Sequence, residues 1–75
     1  MDEIKLGKYQ HYKGNFYEVL GVAKHTETME DFVVYRSLYD SPEFAKGTLW
    51  IRPKEMFLGE GEVNGQKVLR FKFVG

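Results

Sequence analysis

Glycines divide this chain into short segments, and their spacing limits what the chain can fold into. Seven of the eight glycines lie at Gly7, Gly14, Gly21, Gly47, Gly59, Gly61 and Gly65. The segments between them are short and rich in β-branched and aromatic residues. This pattern is typical of strands joined by turns rather than of helices, so it predicts an all-β protein.

We expect five or six short antiparallel strands. The first four are predicted over residues 9–13, 16–24, 32–38 and 48–52. Gly21 lies inside the second of these, where a glycine often marks a bulge or a sharp bend. Pro53 ends the fourth, and one short helical turn is predicted near residues 53–57 with proline at its first position.

The clearest local signal is Asn64-Gly65, which lies between strand-like segments at 60–63 and 68–74. Asn-Gly between two strands is a strong indication of a tight β-hairpin. Together these elements predict one domain over residues 1–75, a small SH3-like barrel. Closing the sheet into a barrel would remove the exposed edges that an open sheet of this size presents.

Charge and composition exclude several classes of protein. Eleven basic and eleven acidic side chains give a formal net charge of zero, which makes nucleic acid an unlikely main partner. The chain has no cysteine, so disulfides, thiolate metal sites and cysteine nucleophiles are excluded. The charged N-terminus and the lack of a long apolar segment predict a cytoplasmic protein with no membrane association.

The segment Leu49-Trp50-Ile51-Arg52 is the first candidate site. In a strand, Leu49 and Ile51 would face the core, while Trp50 and Arg52 would share the other face. A tryptophan beside an arginine can stack on a planar ligand and hold an anion. Alternatively, the pair covers the end of the barrel, with Arg52 ion-paired to Glu27 or Glu30.

Two further groups surround the two histidines. His11 alternates with Tyr9 and Lys13, and could donate a proton or bind an anion. Alternatively, His11 has a structural role and forms hydrogen bonds to both a tyrosine and a backbone carbonyl. His25, Glu27 and Glu30 are secondary candidates, but their spacing matches no metal motif, so we expect an ordered loop in which Thr26 or Thr28 bonds the backbone. We predict no metal ion and no cofactor.

The sequence contains no catalytic motif, so an enzyme is less expected than a binding module. The leading interpretation is a module that binds an extended peptide or a protein through an aromatic and basic surface. The candidate residues of this surface are Tyr9, His11, Tyr35, Tyr39, Trp50 and Arg52. Aromatic grooves on SH3-like barrels bind extended peptides in this way.

Three alternatives remain open. The same surface could stack single-stranded nucleic-acid bases, aided by Lys8, Lys13, Arg36 and Arg52. A small-molecule sensor or minor enzyme would use His11, Arg52 and Glu27. Finally, the C-terminal strand over residues 71–74 could pair with a second copy and form a homo-oligomer.

The order of several short motifs resembles a known bacterial family, the domain of unknown function 1653 family. The similar segments are Gly7–Gly14, Tyr17–Val19, Ala23–Thr28, Val34–Tyr39, Leu49–Pro53 and Met56–Phe57. The resemblance covers most of the chain and is less distinct from Leu58 onward. It implies a stand-alone bacterial domain with an SH3-like barrel, and it implies no substrate, cofactor or reaction.

Overall fold

The computed structural model describes residues 4–75, which form seven strands and one short helix. The elements are β1 (Gly7–His11), β2 (Phe16–Lys24), β3 (Asp31–Ser37), β4 (Leu49–Pro53), α1 (Lys54–Phe57), β5 (Glu60–Val63), β6 (Gln66–Leu69) and β7 (Phe71–Phe73). The prediction of a mainly β protein with one helical turn near residues 53–57 is therefore confirmed.

Five strands form one antiparallel sheet in the order β4-β3-β2-β1-β7, and β5 pairs with β6 in a separate hairpin. The sheet is not closed, because β4 and β7 at its two edges do not pair with each other in the described residues. The prediction of a closed barrel is thus corrected. The chain between these edge strands forms α1 and a hairpin that has its own ladder.

Local turn chemistry explains how the strands are connected. Asn64 and Gly65 have φ values of 52° and 80°, the positive pair that a type I′ hairpin turn requires, so the predicted hairpin is confirmed. The predicted irregularity in β2 is confirmed as well, because the register with β3 shifts between Val19 and Gly21.

The C-terminal segment differs from the sequence prediction. Residues 68–74 do not form one strand but divide between β6 and β7 at Arg70. The backbone N–H of Arg70 donates to Gly59 O at 3.0 Å, while Arg70 O accepts from the Tyr12 N–H at 2.9 Å. The chain leaves the hairpin at this residue and joins the main sheet beside β1.

The core lies between the inner face of the main sheet and α1. Its buried members are Tyr9, Val19, Val33, Tyr35, Phe57 and Phe71. The ring of Phe57 is stacked on that of Phe71, with centroids 4.2 Å apart and planes 7° apart. Phe57 is only 1% exposed, so the single turn of α1 supplies a central side chain of the core.

The residues of β4 that face inward and outward are the reverse of those predicted from the sequence. Leu49 and Ile51 are 62% and 63% exposed, whereas Trp50 and Arg52 are half-buried on the inner face. The register explains this, because Trp50 pairs with buried Tyr35 and Arg52 pairs with buried Val33.

No helix in residues 4–75 is long and apolar enough to cross a membrane.

Candidate functional site

A cavity of about 400 Å³ opens on the inner face of the sheet beside β4. We call it the aromatic cleft, and its lining residues are Asn15, Tyr17, Tyr35, Tyr39, Ser41, Glu43, Phe44, Trp50 and Arg52. It brings together four of the six residues that the sequence singled out: Tyr35, Tyr39, Trp50 and Arg52. These side chains come from β3, β4 and the loop after β3.

Arg52 supplies the positive charge of the aromatic cleft. Its Nε donates a hydrogen bond to the Tyr35 hydroxyl at 3.3 Å, and its guanidinium carbon lies 5.5 Å from the centroid of the Phe71 ring. Among residues 4–75 no carboxylate lies within 4.0 Å of the guanidinium, so the predicted ion pair with Glu27 or Glu30 is not formed. The half-buried cation therefore has aromatic neighbours but no carboxylate within 4.0 Å in the described chain.

Two tyrosines form one wall of the aromatic cleft. The hydroxyl oxygens of Tyr17 and Tyr39 lie 2.7 Å apart, and their rings meet edge to face with centroids 5.5 Å apart. Burial raises the pKa of Tyr17, and the hydrogen bond to Tyr39 raises it further. The Tyr17 phenol therefore stays neutral near neutral pH, and its hydroxyl stays hydrogen-bonded to that of Tyr39.

Trp50 also lines the aromatic cleft and packs against Phe44 of the loop after β3. Its ring meets Phe44 edge to face with centroids 4.9 Å apart. The loop is ordered by local bonds, since Ser41 Oγ accepts from the Phe44 N–H at 3.0 Å and Asp40 Oδ1 accepts from the Lys46 N–H at 2.7 Å. The indole N–H of Trp50 is buried without a hydrogen-bond partner in the described chain.

His11 lies outside the aromatic cleft and lines a second cavity of about 570 Å³. The ring stacks on Tyr12, and Nδ1 accepts a hydrogen bond from the Lys13 N–H at 3.1 Å rather than bridging a tyrosine and a carbonyl. Burial lowers the pKa of His11, as do the nearby charges of Arg52, Lys13 and Arg70. The imidazole is thus held neutral, with its proton on Nε2.

Tyr9 lies in the core, which corrects its assignment to a binding surface. It is 7% exposed, and its hydroxyl donates to Lys5 O at 2.8 Å. Burial raises the pKa of Tyr9. Tyr35 is also buried, at 4% exposure, but its hydroxyl reaches the cleft where Arg52 meets it.

The secondary candidates His25, Glu27 and Glu30 lie in the loop between β2 and β3 and do not line the aromatic cleft. His25 Nδ1 accepts from the Glu27 N–H at 3.1 Å, and Thr28 Oγ1 accepts from the Glu30 N–H at 3.2 Å. The expectation of an ordered loop with a threonine bonded to the backbone is confirmed. No group of three or more potential metal ligands occurs within residues 4–75.

A third cavity, of about 430 Å³, lies between this loop and α1 and is lined by Glu30, Asp31, Lys54, Glu55 and Leu58. Three of its five lining residues are acidic, and one of them, Asp31, is paired with Lys24. The hydrogen bond from Lys24, 2.8 Å away, lowers the pKa of Asp31. We therefore regard this cavity as a solvated, charged surface and the aromatic cleft as the better candidate.

Sequence reasoning missed five lining residues of the aromatic cleft: Asn15, Tyr17, Ser41, Glu43 and Phe44. Two of them carried a usable signal. Tyr17 alternates with the buried Val19 along β2, which indicates an inward-facing side chain. Phe44 is an apolar aromatic residue among polar residues of the loop after β3, and such a residue is a reasonable candidate for contact with the sheet.

Comparison with known proteins identifies the family of the chain but no activity. The family model described as a protein of unknown function (DUF1653) matches residues 7–73. The match therefore includes most of the segment after Phe57, in which the resemblance seen in the sequence was less distinct. A crystal structure of a DUF1653 protein from Bordetella bronchiseptica is 32% identical, with a TM-score of 0.86 over 100% of this chain and 92% of that chain. No curated protein matches. The chain therefore belongs to the DUF1653 family, whose function is unknown.

Proposed function

We propose that this protein is a binding module and that the aromatic cleft holds an extended peptide segment. The observation that carries the proposal is the convergence of Tyr35, Tyr39, Trp50 and Arg52 on one cavity of about 400 Å³. Ligand sites are concave, mainly apolar and aromatic, and carry a few polar groups that fix orientation. The aromatic cleft has five aromatic lining residues and four polar or charged ones.

The position of the cleft supports an extended ligand. It lies beside β4, which is an edge strand of the main sheet. An edge strand has unpaired main-chain groups, and a peptide can pair with them while its alternate side chains enter adjacent pockets. SH3-like domains also bind extended peptides in a groove lined by aromatic residues, and a structural relationship to SH3-like domains is part of this proposal.

Single-stranded nucleic acid fits the same surface less well. Arg36 is bonded to Glu18, with Nε and Oε1 2.7 Å apart, and Lys8 lies over the ring of Phe16 at 4.6 Å. Two of the cations that would hold phosphates are therefore already engaged. The small-molecule alternative is weakened because Glu27 and His11 do not line the cleft that contains Arg52.

Trp50 makes this proposal directly testable, because it is the sole tryptophan of the chain. An array of immobilised peptides that includes proline-rich and acidic sequences would identify binders, which are then titrated while Trp50 fluorescence is recorded. We expect saturable changes in emission. Phe44→Ala, which removes a cleft wall, should weaken binding by at least about fivefold, the equivalent of ~1 kcal/mol.

Leu49→Ala is the matched control for Phe44→Ala. Leu49 is also exposed and apolar, but it lies on the outer face of β4, away from Trp50. This variant should bind with unchanged affinity. Equal losses in the two variants, or binders that leave Trp50 emission unchanged, would contradict a ligand in the aromatic cleft.

Self-association through the C-terminal strand is a separate proposal. β7 lies at the other edge of the sheet and pairs with β1. A second copy could extend the sheet there, although β7 has only three residues and exposes Lys72, a residue type that discourages edge pairing. Light scattering during size-exclusion chromatography tests it: a monomer at high concentration would exclude this mode.

A further inference from the structure

We infer that the peptide bound in the aromatic cleft places a carboxylate on Arg52. This inference rests on the proposed function and specifies which chemistry the ligand must carry. It starts from Arg52, a half-buried cation with no carboxylate within 4.0 Å in residues 4–75. A partly buried guanidinium forms strong charge-assisted hydrogen bonds with a carboxylate, and the ligand would supply that carboxylate.

The geometry leaves one edge of the guanidinium available. Tyr35 already accepts from Nε, and the ring of Phe71 lies against the guanidinium carbon. Neither Nη1 nor Nη2 of Arg52 has a hydrogen-bond partner in residues 4–75. These two nitrogens form a planar fork, which matches the two oxygens of a carboxylate in a bidentate pair.

The charge balance favours a carboxylate over a phosphate. Arg52 is the one cation that lines the cleft, and Glu43 adds a negative charge to the same lining. A phosphate carries nearly two negative charges and is usually held by several arginines. A lining with one cation and one carboxylate suits a ligand group with a single negative charge better than a phosphate.

A second polar group in the cleft also lacks a partner. The indole N–H of Trp50 is buried without an acceptor in the described chain, which is rare in folded proteins. Trp50 and Arg52 are two residues apart on the inner face of β4. A carboxylate bound to Arg52 would lie on the same face of β4 as this unpartnered donor.

Four pools of acetylated pentapeptides would test this inference on the full chain. Three pools lack Asp and Glu: one has a free C-terminal carboxylate, one is amidated, and one is amidated with a central phosphoserine. The fourth is amidated with a central Glu. Binding is followed by Trp50 fluorescence and by the NMR signal of the Arg52 side-chain N–H.

We expect one or both carboxylate pools to bind at least ~10-fold more tightly than the neutral amidated pool, as expected for a charge-assisted hydrogen bond. Whichever carboxylate pool binds better identifies the source, a chain terminus or an acidic side chain. Arg52→Gln should remove the difference between the pools. Lys13→Gln is the control, because it removes an exposed positive charge outside the cleft and should preserve that difference.

The remaining outcomes are decisive. Equal binding of the neutral and carboxylate pools would overturn the carboxylate inference while leaving peptide binding intact. Tightest binding by the phosphoserine pool would overturn it in favour of phosphopeptides. If no pool changes the Trp50 signal, both the inference and the proposed function fail.

Discussion

The Nε atom of Arg52 lies 3.3 Å from the hydroxyl oxygen of Tyr35, and this contact joins two adjacent strands at the aromatic cleft. The tyrosine uses one donor of the guanidinium and leaves its outer edge free. A buried residue of the core thereby orients a charged residue of the candidate site.

Tyr35→Phe tests that positioning role. The substitution keeps the buried ring but removes the acceptor for Arg52, so peptides with a carboxylate should bind about fivefold more weakly. The free energy of unfolding should change by no more than about 1 kcal/mol. Titrations monitored by Trp50 fluorescence and urea unfolding measure the two effects, and unchanged affinity would show that Tyr35 does not position Arg52.

Phe57→Ala tests the contribution of α1 to the core. Phe57 is stacked on Phe71 and almost fully buried, so its truncation should lower the free energy of unfolding by about 3–5 kcal/mol. Met56→Ala, one residue earlier and 51% exposed, should cost less than about 1 kcal/mol. Urea unfolding of both variants measures this difference, and similar losses would contradict the central place of Phe57.

Gly61→Ala tests the close approach of Tyr12 to β5. An added Cβ would lie 2.7 Å from two carbons of the Tyr12 ring, so we expect a loss of about 1–3 kcal/mol in unfolding free energy. Gly21→Ala is the control, because no described atom lies within 4 Å of its added Cβ. In a Tyr12→Ala background the clash is absent, so Gly61→Ala should cost little unfolding free energy relative to Tyr12→Ala alone. An equal loss in that background would contradict the contact between Tyr12 and Gly61.

His11 should make stability dependent on pH. Burial lowers the pKa of His11 in the folded state, so the unfolded chain binds the proton more tightly. The free energy of unfolding should therefore fall as pH decreases through the ordinary imidazole value of about 6.5 and recover as pH rises. Urea unfolding between pH 7.5 and 5.5 measures this change.

Variants at the two histidines show which residue causes the pH dependence of the unfolding free energy. His11→Gln should flatten the dependence over this pH range, because it removes the group whose proton affinity changes on folding. His25→Gln should retain the dependence, since His11 is still present. An identical fall in stability in wild-type protein and His11→Gln would mean that another group is responsible.

Features that depend on local chemistry could be predicted from the sequence. Asn64-Gly65 specifies its turn through two residues that tolerate positive φ, and Gly21 marks the bulge in β2. Pro53 likewise marks the end of β4 and the start of the helical turn. Each of these features is determined by a few consecutive residues.

Features that depend on long-range register could not be predicted. Both faces of β4 contain large apolar side chains, so alternation alone does not indicate whether Trp50 or Ile51 faces inward. Pairing with Tyr35 on β3 decides it. The division of the last strand at Arg70 also depends on distant partners, Gly59 and Tyr12.

The candidate site could be predicted only in part, because it depends on which strands are neighbours and on what packs over them. Tyr35, Tyr39, Trp50 and Arg52 converge because β3 and β4 are neighbours. Tyr9 was wrongly predicted to lie on the binding surface. It belongs to β1, which has sheet neighbours on both sides, and its ring packs against Phe57 and Phe73. Burial of a tyrosine on a central strand depends on what packs over it, which the strand's own sequence does not contain.

The most direct test of a ligand site at Trp50 and Arg52 is a ¹H–¹⁵N chemical-shift map of the protein with a saturating carboxylate peptide. We predict the largest shifts at the Trp50 indole N–H, the Arg52 side-chain N–H and the backbone of the Phe44 loop. The larger second cavity, with His11, Tyr12 and Leu69, should change little. Shifts concentrated at that second cavity, with Trp50 and Arg52 unchanged, would contradict the aromatic cleft as the binding site.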